Sequence, residues 1–284
     1  MATGLDSVID VSYSIRNSIK DVNALLRMTK KQDAFRMRWT DWGRIRKLYV
    51  LGSSDFREID ELRDGRLKPG YYLDIATESE LLVIGAARER IREHLSRCGE
   101  NLETLSLHFT TLEELEISHL TGVKELDLSK NEKLCRISGM DRLARLWRLN
   151  LSSTRFGPVL DLNPYSGLER ININGTPIRE VHLERPLERV YYFYADSSAL
   201  QDASFLALFP GIMALSLTRT VVTQLPPLGQ ISQLEYLFLS GSGIRTLPQI
   251  EQLISLTQQP TLVSFLIPAS ISAIRSLFFS VLTI

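Results

Sequence analysis

One apolar pattern recurs seven times between residues 102 and 239 of this 284-residue chain. It has the form Leu-x-x-Leu-x-Leu, with Ile, Val, Phe or Ala replacing Leu at some positions. The copies begin at Leu102, Val123, Leu146, Leu168, Val190, Ile212 and Leu234. Their starts are separated by 21, 23, 22, 22, 22 and 22 residues. A fixed period of about 22 residues predicts a solenoid, in which each copy forms one coil and stacks on the next.

The second half of each copy keeps the same register. Three residues after the third apolar position stands a small polar residue, namely Thr110, Asn131, Thr154, Thr176, Ser198, Thr220 or Ser242. Such a side chain can pair backbone groups of a tight bend that would otherwise be buried without partners. Apolar residues follow at Leu112, Leu134, Phe156, Ile178, Leu200, Val222 and Ile244, and then at Leu115, Ile137, Val159, Val181, Ala203, Leu225 and Leu247.

This arrangement of apolar and small polar positions resembles the leucine-rich-repeat superfamily. The resemblance implies an α/β solenoid, a horseshoe with a parallel sheet on its concave face and short helices or irregular turns on its convex face. In each coil the Leu-x-Leu segment is expected to be a short strand whose alternate side chains enter one continuous core. We predict regular repeats over residues 102–250.

The flanking sequences fit the pattern less well. Residues 45–101 and 251–284 are predicted to form irregular repeats, so that the repeat domain covers residues 45–284. Within the first of these, residues 86–98 predict a helix that ends at Gly99, whereas residues 60–80 are expected to be irregular. Residues 1–44 contain apolar residues three or four positions apart. This spacing predicts an amphipathic helix that either caps the first coil or docks onto a partner or a preceding domain.

The stretch 252–274 contains no charged residue, and it allows two interpretations. Its length approaches that of a membrane helix, but Pro268 and several Ser and Gln residues interrupt it. Residues 262–267 match the repeat, so we interpret the stretch as an eighth, longer repeat rather than as a membrane-associating tail. The apolar end of the chain is a poor cap for a solenoid, which is typical of a truncated or alternatively terminated chain.

Composition and motifs argue against catalysis. Lys and Arg total 33 and so do Asp and Glu, so no net charge favours nucleic acid or an anionic membrane. The sequence has no P-loop, dinucleotide-binding glycine pattern, nucleophile elbow or His-Glu-x-x-His motif. Neither the four histidines nor Cys98 and Cys135 have the spacing of a zinc site or a disulfide framework. We therefore predict a protein that is not an enzyme and that needs no metal or other cofactor.

The N-terminus is polar and lacks a secretory signal, which predicts a cytoplasmic protein. Glycosylation sequons at Asn150 and Asn174 are then expected to be coincidental. Residues 1–50 carry ten basic and five acidic side chains. This excess is most simply explained as a solvated surface.

Side chains between the core positions are predicted to form three columns on the concave face. The first column is Glu103, Lys124, Trp147, Glu169, Tyr191, Met213 and Glu235; the second is Thr104, Glu125, Arg148, Arg170, Tyr192, Ala214 and Tyr236; the third is Ser106, Asp127, Asn150, Asn172, Tyr194, Ser216 and Phe238. Aromatic residues beside arginines are typical of binding hot spots. We therefore predict a protein-binding site formed by Trp147, Arg148, Arg170, Tyr191, Tyr192, Tyr194, Met213, Tyr236 and Phe238. The alternative is that residues 191–194 form a distorted repeat whose rings pack into neighbouring coils.

Several copies are similar, more specifically, to the repeats of intracellular plant immune receptors of the nucleotide-binding, leucine-rich-repeat class, the disease resistance proteins. The similarity rests on residues 231–248, on Leu225-Pro226, and on residues 146–154 and 168–178, where Ser or Thr stands in place of Asn. It implies that the repeat face recognises a pathogen effector or a host signalling protein, or restrains a switch domain. The sequence contains no nucleotide-binding domain, so this chain is not expected to be the ATP-driven switch itself.

These features together predict a protein–protein interaction module that binds a protein ligand on its concave face, in plant immune recognition. The alternative is a recognition fragment of a larger receptor or of a ubiquitin-ligase-type protein whose effector domain lies outside this sequence. Nucleic acid is not an expected partner, because the aromatic columns lack the basic groove that accompanies stacking rings in such sites. A membrane partner is not expected either.

Overall fold

The computed structural model describes residues 42–52, 73–76, 80–85 and 88–245. These residues fall into two compact units. Unit 1 comprises the described residues up to Phe156 together with residues 164–167, and unit 2 comprises residues 157–163 together with residues 168–245. The predicted N-terminal helix, the apolar position at Leu247 and the predicted eighth repeat lie outside the described residues.

Unit 1 is built mainly from parallel strands. Its strands are β1 (Lys47–Leu51), β2 (Leu73–Ala76), β3 (Glu80–Ile84), β4 (Thr104–His108), β5 (Glu114–Glu116), β6 (Glu125–Asp127), β7 (Arg136–Ser138) and β8 (Arg148–Asn150). Its helices are α1 (Arg88–Arg97) and two 3-10 helices at Trp42–Arg44 and Met140–Arg142. The main sheet has the order β8-β6-β4-β1-β3-β2, and all of its pairings are parallel except that of β2 with β3.

The first part of unit 1 departs from the expected stacking in chain order. β1 pairs with β3 on one side and with β4 on the other, so the connection from β3 through α1 to β4 passes β1. The stretch 60–80, expected to be irregular, contains β2, which pairs antiparallel with β3. The predicted helix is confirmed, because α1 ends two residues before Gly99 and buries Ile91 and Leu95. The described strands of this region therefore do not pair in chain order, since β1 pairs with both β3 and β4.

Unit 2 repeats one coil with little variation. Its strands are β9 (Val159–Asp161), β10 (Arg170–Asn172), β11 (Glu180–His182), β12 (Tyr192–Tyr194), β13 (Ala214–Ser216) and β14 (Tyr236–Phe238), and it has 3-10 helices at Ser204–Leu208 and Leu228–Ile231. β10, β12, β13 and β14 pair in parallel in that order. Their central residues Ile171, Phe193, Leu215 and Leu237 stand opposite one another and are fully buried. The predicted strands and their register are therefore confirmed.

The small polar residue of each coil lies in the bend that follows the strand, and all seven are buried. The hydroxyls of Thr154, Thr176 and Thr220 each donate to the carbonyl three residues earlier, at 2.7, 2.7 and 2.8 Å. In unit 1, Asn131 donates to the carbonyls of Leu107 and Leu128 at 2.8 and 2.7 Å, which links two successive coils. The predicted role of these residues in pairing buried backbone groups is confirmed.

The bend also has a recurring backbone conformation that the sequence pattern did not predict. The residue immediately before each small polar residue has a positive φ: Phe109 (54°), Lys130 (61°), Ser153 (55°), Gly175 (65°), Ser197 (55°), Arg219 (57°) and Gly241 (71°). Two of the seven are glycines, which adopt this left-handed conformation without cost, whereas the other five place a Cβ in a disfavoured region. The bend therefore imposes the same backbone turn on every coil regardless of the residue at this position.

The second half of the coil is more ordered than expected. Short helices or irregular turns were predicted here, and 3-10 helices are present in both units. In addition, β5 pairs with β7 in unit 1 and β9 pairs with β11 in unit 2, each pair forming a small parallel sheet. The half-buried Ile137, Val159 and Val181 lie in these strands, which explains why this apolar position recurs in the sequence.

Candidate binding surface

We define the sheet face of each unit as the side chains in the three columns predicted above, together with the column that follows the third apolar position, namely His108, Ser129, Ser152, Asn174, Asp196, Thr218 and Ser240. Charged residues on the sheet face of unit 1 pair with one another. Lys124 lies 3.2 Å from Glu103, and Arg148 lies 3.9 Å from Glu125 and 4.0 Å from Asp127. The Arg148 side chain is only 22% exposed, so its charge is directed at these carboxylates rather than at solvent.

A buried polar network continues this pairing toward the ends of the strands of unit 1. The Asp127 carboxylate accepts hydrogen bonds from the Ser129 backbone N–H at 3.0 Å and from the Asn150 side-chain amide at 3.1 Å. The His108 ring lies 2.7 Å from the Ser106 hydroxyl and 3.1 Å from the Ser129 carbonyl. All five residues are less than 9% exposed. Since these groups satisfy one another, the network stabilises the stacking of coils in unit 1.

Ser106, His108 and Asp127 have the residue types of a hydrolytic triad, but their geometry does not support one. The histidine Nδ1 lies 3.8 Å from the aspartate, beyond hydrogen-bond distance, and the Ser129 carbonyl lies closer, at 3.1 Å. The serine is 3% exposed and the histidine 1%, so a substrate could not reach the hydroxyl. We therefore assign this cluster a structural role.

The sheet face of unit 2 carries aromatic residues at the positions where unit 1 has charges. Five predicted site residues, Tyr191, Tyr192, Tyr194, Met213 and Tyr236, are half-buried, and Arg170 is exposed. Each strand contributes to this surface: Arg170 pairs in register with Tyr192, which pairs with Ala214, which pairs with Tyr236. Tyr192 and Tyr236 thus stand on either side of a buried alanine.

Arg170 is positioned by an aromatic ring. Its guanidinium carbon lies 4.6 Å from the centroid of the Tyr192 ring, a cation–π contact between neighbouring strands. The preceding residue, Glu169, forms an ion pair with Arg189. Arg170 therefore combines a solvent-exposed charge with a fixed position on the sheet face.

Two titratable groups of unit 2 are shifted by partial burial. Burial raises the pKa of Tyr194 to about 12, and the neighbouring Tyr192 adds to the increase. Burial also raises the pKa of Asp196, although hydrogen bonds from Ser216 and Thr218 oppose that change. Asp196 accepts from the Thr218 backbone N–H at 2.9 Å and from the Ser216 hydroxyl. Tyr194 and Asp196 are therefore partly buried rather than freely solvated.

The structure distributes the predicted site over both units. Trp147 and Arg148 belong to unit 1, where Trp147 is half-buried and Arg148 is ion-paired. The remaining predicted residues belong to unit 2. The expectation that Phe238 faces solvent is wrong, because it is 6% exposed and packs as a core residue at the end of β14. Of the alternative at residues 191–194, the distortion is not observed, since β12 pairs in register with both of its neighbours, whereas the tyrosine rings are half-buried.

The sequon asparagines and the two cysteines were also considered in the sequence analysis. Asn150 and Asn174, the sequon asparagines, are buried at 3% and 8% exposure and hydrogen-bonded, so neither is accessible for glycosylation in the folded chain. Burial raises the pKa of the Cys98 thiol to about 12, which suppresses its reactivity. Cys135 is exposed at the surface.

Neither a metal site nor a membrane span is found in the part of the chain that the structure describes. No group of three or more His, Cys, Asp or Glu side chains among those residues could hold a metal ion. Likewise, no helix within residues 42–52, 73–76, 80–85 and 88–245 is long and apolar enough to cross a membrane.

Comparison with solved structures identifies the fold. The functional domain of InlJ from Listeria monocytogenes superposes with a TM-score of 0.52 and 18% identity, over 62% of this chain and 36% of that one. The chain has the leucine-rich-repeat fold. Internalin C2 of the same organism matches at 17% identity with a TM-score of 0.37, over 59% of this chain and 61% of that one. A leucine-rich-repeat protein of Leptospira interrogans matches at 17% identity with a TM-score of 0.35, over 60% of this chain and 57% of that one.

These similarities extend to the fold alone. The chain spans less than two thirds of the length of each of the three structures. Neither a protein-family model nor a curated protein matches the sequence. The three solved structures come from bacteria, and they do not test the similarity to plant immune receptors.

Proposed function

We propose that this protein is a protein-interaction module and that the sheet face of unit 2 is its ligand-binding surface. The observation that carries this proposal is the row formed by Arg170, Tyr192 and Tyr236 along the parallel strands of unit 2, with the buried Ala214 between the two tyrosines. Half-buried tyrosines offer a large contact area at a small cost in side-chain entropy, and they place polar hydroxyls at the rim. Such residues dominate the energetics of protein interfaces.

Unit 1 is the weaker candidate. Its ion pairs would have to be broken or desolvated before a ligand could contact Arg148 or Glu125, and that cost reduces net affinity. Trp147 is the exception, as a half-buried aromatic residue without charge. We propose it as a secondary contact, with an effect smaller than that of the tyrosines.

The narrower functional proposal rests on the similarity of the repeats to plant immune receptors. We propose that the ligand is a pathogen effector or a host signalling protein, and that binding takes place in the cytoplasm. We also propose that residues 1–44 cap the first coil or dock onto a partner, and that residues 45–284 form the repeat domain. The support for these statements is the sequence pattern described above.

The test is affinity capture from a cell extract with the full chain, read by mass spectrometry. The test variant carries Tyr192→Ala and Tyr236→Ala, and the matched control carries Glu103→Ala and Lys124→Ala, which remove an exposed ion pair from unit 1. Loss of a hot spot costs about 2 kcal/mol or more, enough to remove a ligand from the eluate. Circular dichroism melting verifies that both variants are folded.

We expect one or more proteins to disappear from the eluate of the tyrosine variant and to remain with the control. The proposal fails if both folded variants retain the same proteins as wild type. It also fails if the control loses ligands that the tyrosine variant keeps, because the binding surface would then lie on unit 1.

A further inference from the structure

We infer that Arg170 is a charged anchor of this surface and that the ligand is an acidic protein segment, which places an Asp or Glu carboxylate on the guanidinium. This inference rests on the proposed function and adds the chemistry of the partner. It follows from the position of Arg170 relative to Tyr192 and from the difference between Arg170 and the arginine at the equivalent position in unit 1.

Arg170 is exposed, and it is held over the Tyr192 ring at 4.6 Å. Among the described residues, no carboxylate lies within ion-pair distance of its guanidinium; the adjacent Glu169 pairs with Arg189 instead. The charge of Arg170 is therefore not neutralised by a neighbouring acid in this part of the chain.

The contact with the Tyr192 ring does not use the hydrogen-bonding capacity of the guanidinium. Its N–H donors lie in the plane of the group, in a geometry that matches a carboxylate with two parallel hydrogen bonds. The Tyr192 ring also limits the rotamers of the arginine before a ligand arrives, so less side-chain entropy is lost on binding. Arg170 is thus both charged and preorganised.

Arg148 occupies the same column position on β8 that Arg170 occupies on β10, and it provides an internal comparison. It lies 3.9 Å from Glu125 and 4.0 Å from Asp127, and it is 22% exposed. Two carboxylates of unit 1 therefore take the place that a ligand would have to fill. The sequence pattern alone treats the two arginines as equivalent, whereas their surroundings differ.

Besides Glu169, the acidic residues on the sheet face of unit 2 are Asp196 and Glu235. Asp196 is engaged by Ser216 and Thr218. Glu235 precedes β14, which is three strands from β10, or about 14 Å at the usual spacing of parallel strands. The charge complementarity of the surface thus favours an acidic group of the ligand at β10, with apolar or aromatic contacts extending over Tyr192 toward Tyr236.

The probe is a display library of short random peptides selected on the full wild-type chain. The peptides that are enriched are sequenced, and one is synthesised for titration by calorimetry against wild type and three variants. Arg170→Gln removes the charge, Arg148→Gln is the matched control, and Arg170→Glu reverses the charge. A second peptide carries Lys in place of its acidic residues, and a third carries phosphoserine.

We expect enrichment of Asp and Glu in the selected peptides. The synthesised peptide should bind Arg148→Gln as it binds wild type, and it should bind Arg170→Gln about tenfold more weakly or worse, since a charged hydrogen-bonded contact is lost. Arg170→Glu should prefer the Lys peptide. Binding should weaken as salt is raised.

The inference is overturned if no peptide is enriched, if the enriched peptides are not acidic, or if Arg170→Gln binds the acidic peptide as wild type does. It is also overturned if the phosphoserine peptide binds and the acidic one does not. If the enriched peptides are neutral, bind wild type and do not bind the variant with Tyr192→Ala and Tyr236→Ala, the inference about an acidic ligand is wrong and the proposed function is supported. The affinity capture described above decides the proposed function separately.

Discussion

The sheet faces of the two units are built on the same strand pattern, but they use their polar groups differently. In unit 1 the charged side chains pair with one another, and beneath them His108, Asp127 and Asn150 form a buried network. In unit 2 the same columns carry half-buried tyrosines, and Arg170 stacks on Tyr192. The first face is satisfied internally, whereas the second leaves aromatic area and a charge for a ligand.

Position in a repeat does not by itself determine what a side chain contacts. Arg148 and Arg170 stand in one column, each at the start of a strand, and both were predicted to bind ligand. Residues of a neighbouring coil determine what each arginine contacts. Glu125 and Asp127 accompany Arg148, whereas Tyr192 on the next strand accompanies Arg170.

The greatest loss of stability is expected from changes in the core of each unit. Leu149→Asp in unit 1 and Leu215→Asp in unit 2 each place a charge at a fully buried position. We expect either change to cost more than about 4 kcal/mol of unfolding free energy and to give insoluble or protease-sensitive protein. Limited proteolysis and thermal melting measure this. Normal solubility and melting for one of the two would show that the cores of the units are not equivalent.

The second-largest effect on stability concerns polar side chains that accept hydrogen bonds, and it should differ between the two units. Asp127→Ala leaves the Ser129 N–H and the Asn150 amide without their buried acceptor, so we expect a loss of about 3 kcal/mol in unfolding free energy. In unit 2 the half-buried Asn172 side chain accepts a hydrogen bond from the Asn174 backbone N–H, and Asn172→Ala removes that single acceptor. Its cost should be about 1 kcal/mol. Urea unfolding measures both, and equal losses would contradict the distinction drawn between the two faces.

A smaller effect on stability concerns the residue with positive φ in the bend, which occurs in the coils of both units. Gly175 has a φ of +65°, so Gly175→Ala should cost about 1 kcal/mol because a Cβ is disfavoured there. Ser153 in unit 1 has the same conformation, with a φ of +55°. Ser153→Gly should change the unfolding free energy by less than about 0.5 kcal/mol, since relief of strain is offset by the greater backbone entropy of glycine in the unfolded chain. Urea unfolding distinguishes the two; a large loss for Ser153→Gly would assign its side chain another role.

The smallest effect depends on pH and belongs to unit 2. Burial raises the pKa of Asp196 in the folded chain above its value in the unfolded chain. As the pH rises, the Asp196 carboxyl therefore loses its proton first in the unfolded chain, and the folded state loses stability between the two pKa values. Asp196→Asn keeps an acceptor oxygen and removes the buried charge. We therefore expect the variant to gain slightly over wild type at neutral pH, with the gain disappearing below about pH 4. Urea unfolding at several pH values measures this difference, and a variant that is less stable at neutral pH would contradict it.

The repeat period determined much of the fold. Because apolar side chains must enter the core at alternate positions of each strand, the spacing in the sequence identified the buried residues of the seven copies and the strands β4, β6, β8, β10, β12, β13 and β14. The small polar residue was predictable for the same reason, since its hydroxyl or amide serves backbone groups of its own bend. The aromatic columns of unit 2 were also readable from the sequence, with the exception of the buried Phe238.

Contacts between elements and side chains of different coils could not be predicted from the sequence and depend on the tertiary structure. The placement of β1 between β3 and β4 depends on strand pairing between distant segments, and no local pattern encodes it. The left-handed bend residues were visible in the sequence only where they are glycine, because the stacked coils hold other residues in that conformation as well. The different surroundings of Arg148 and Arg170 arise from residues about one repeat away in sequence, which stacking alone brings within contact distance.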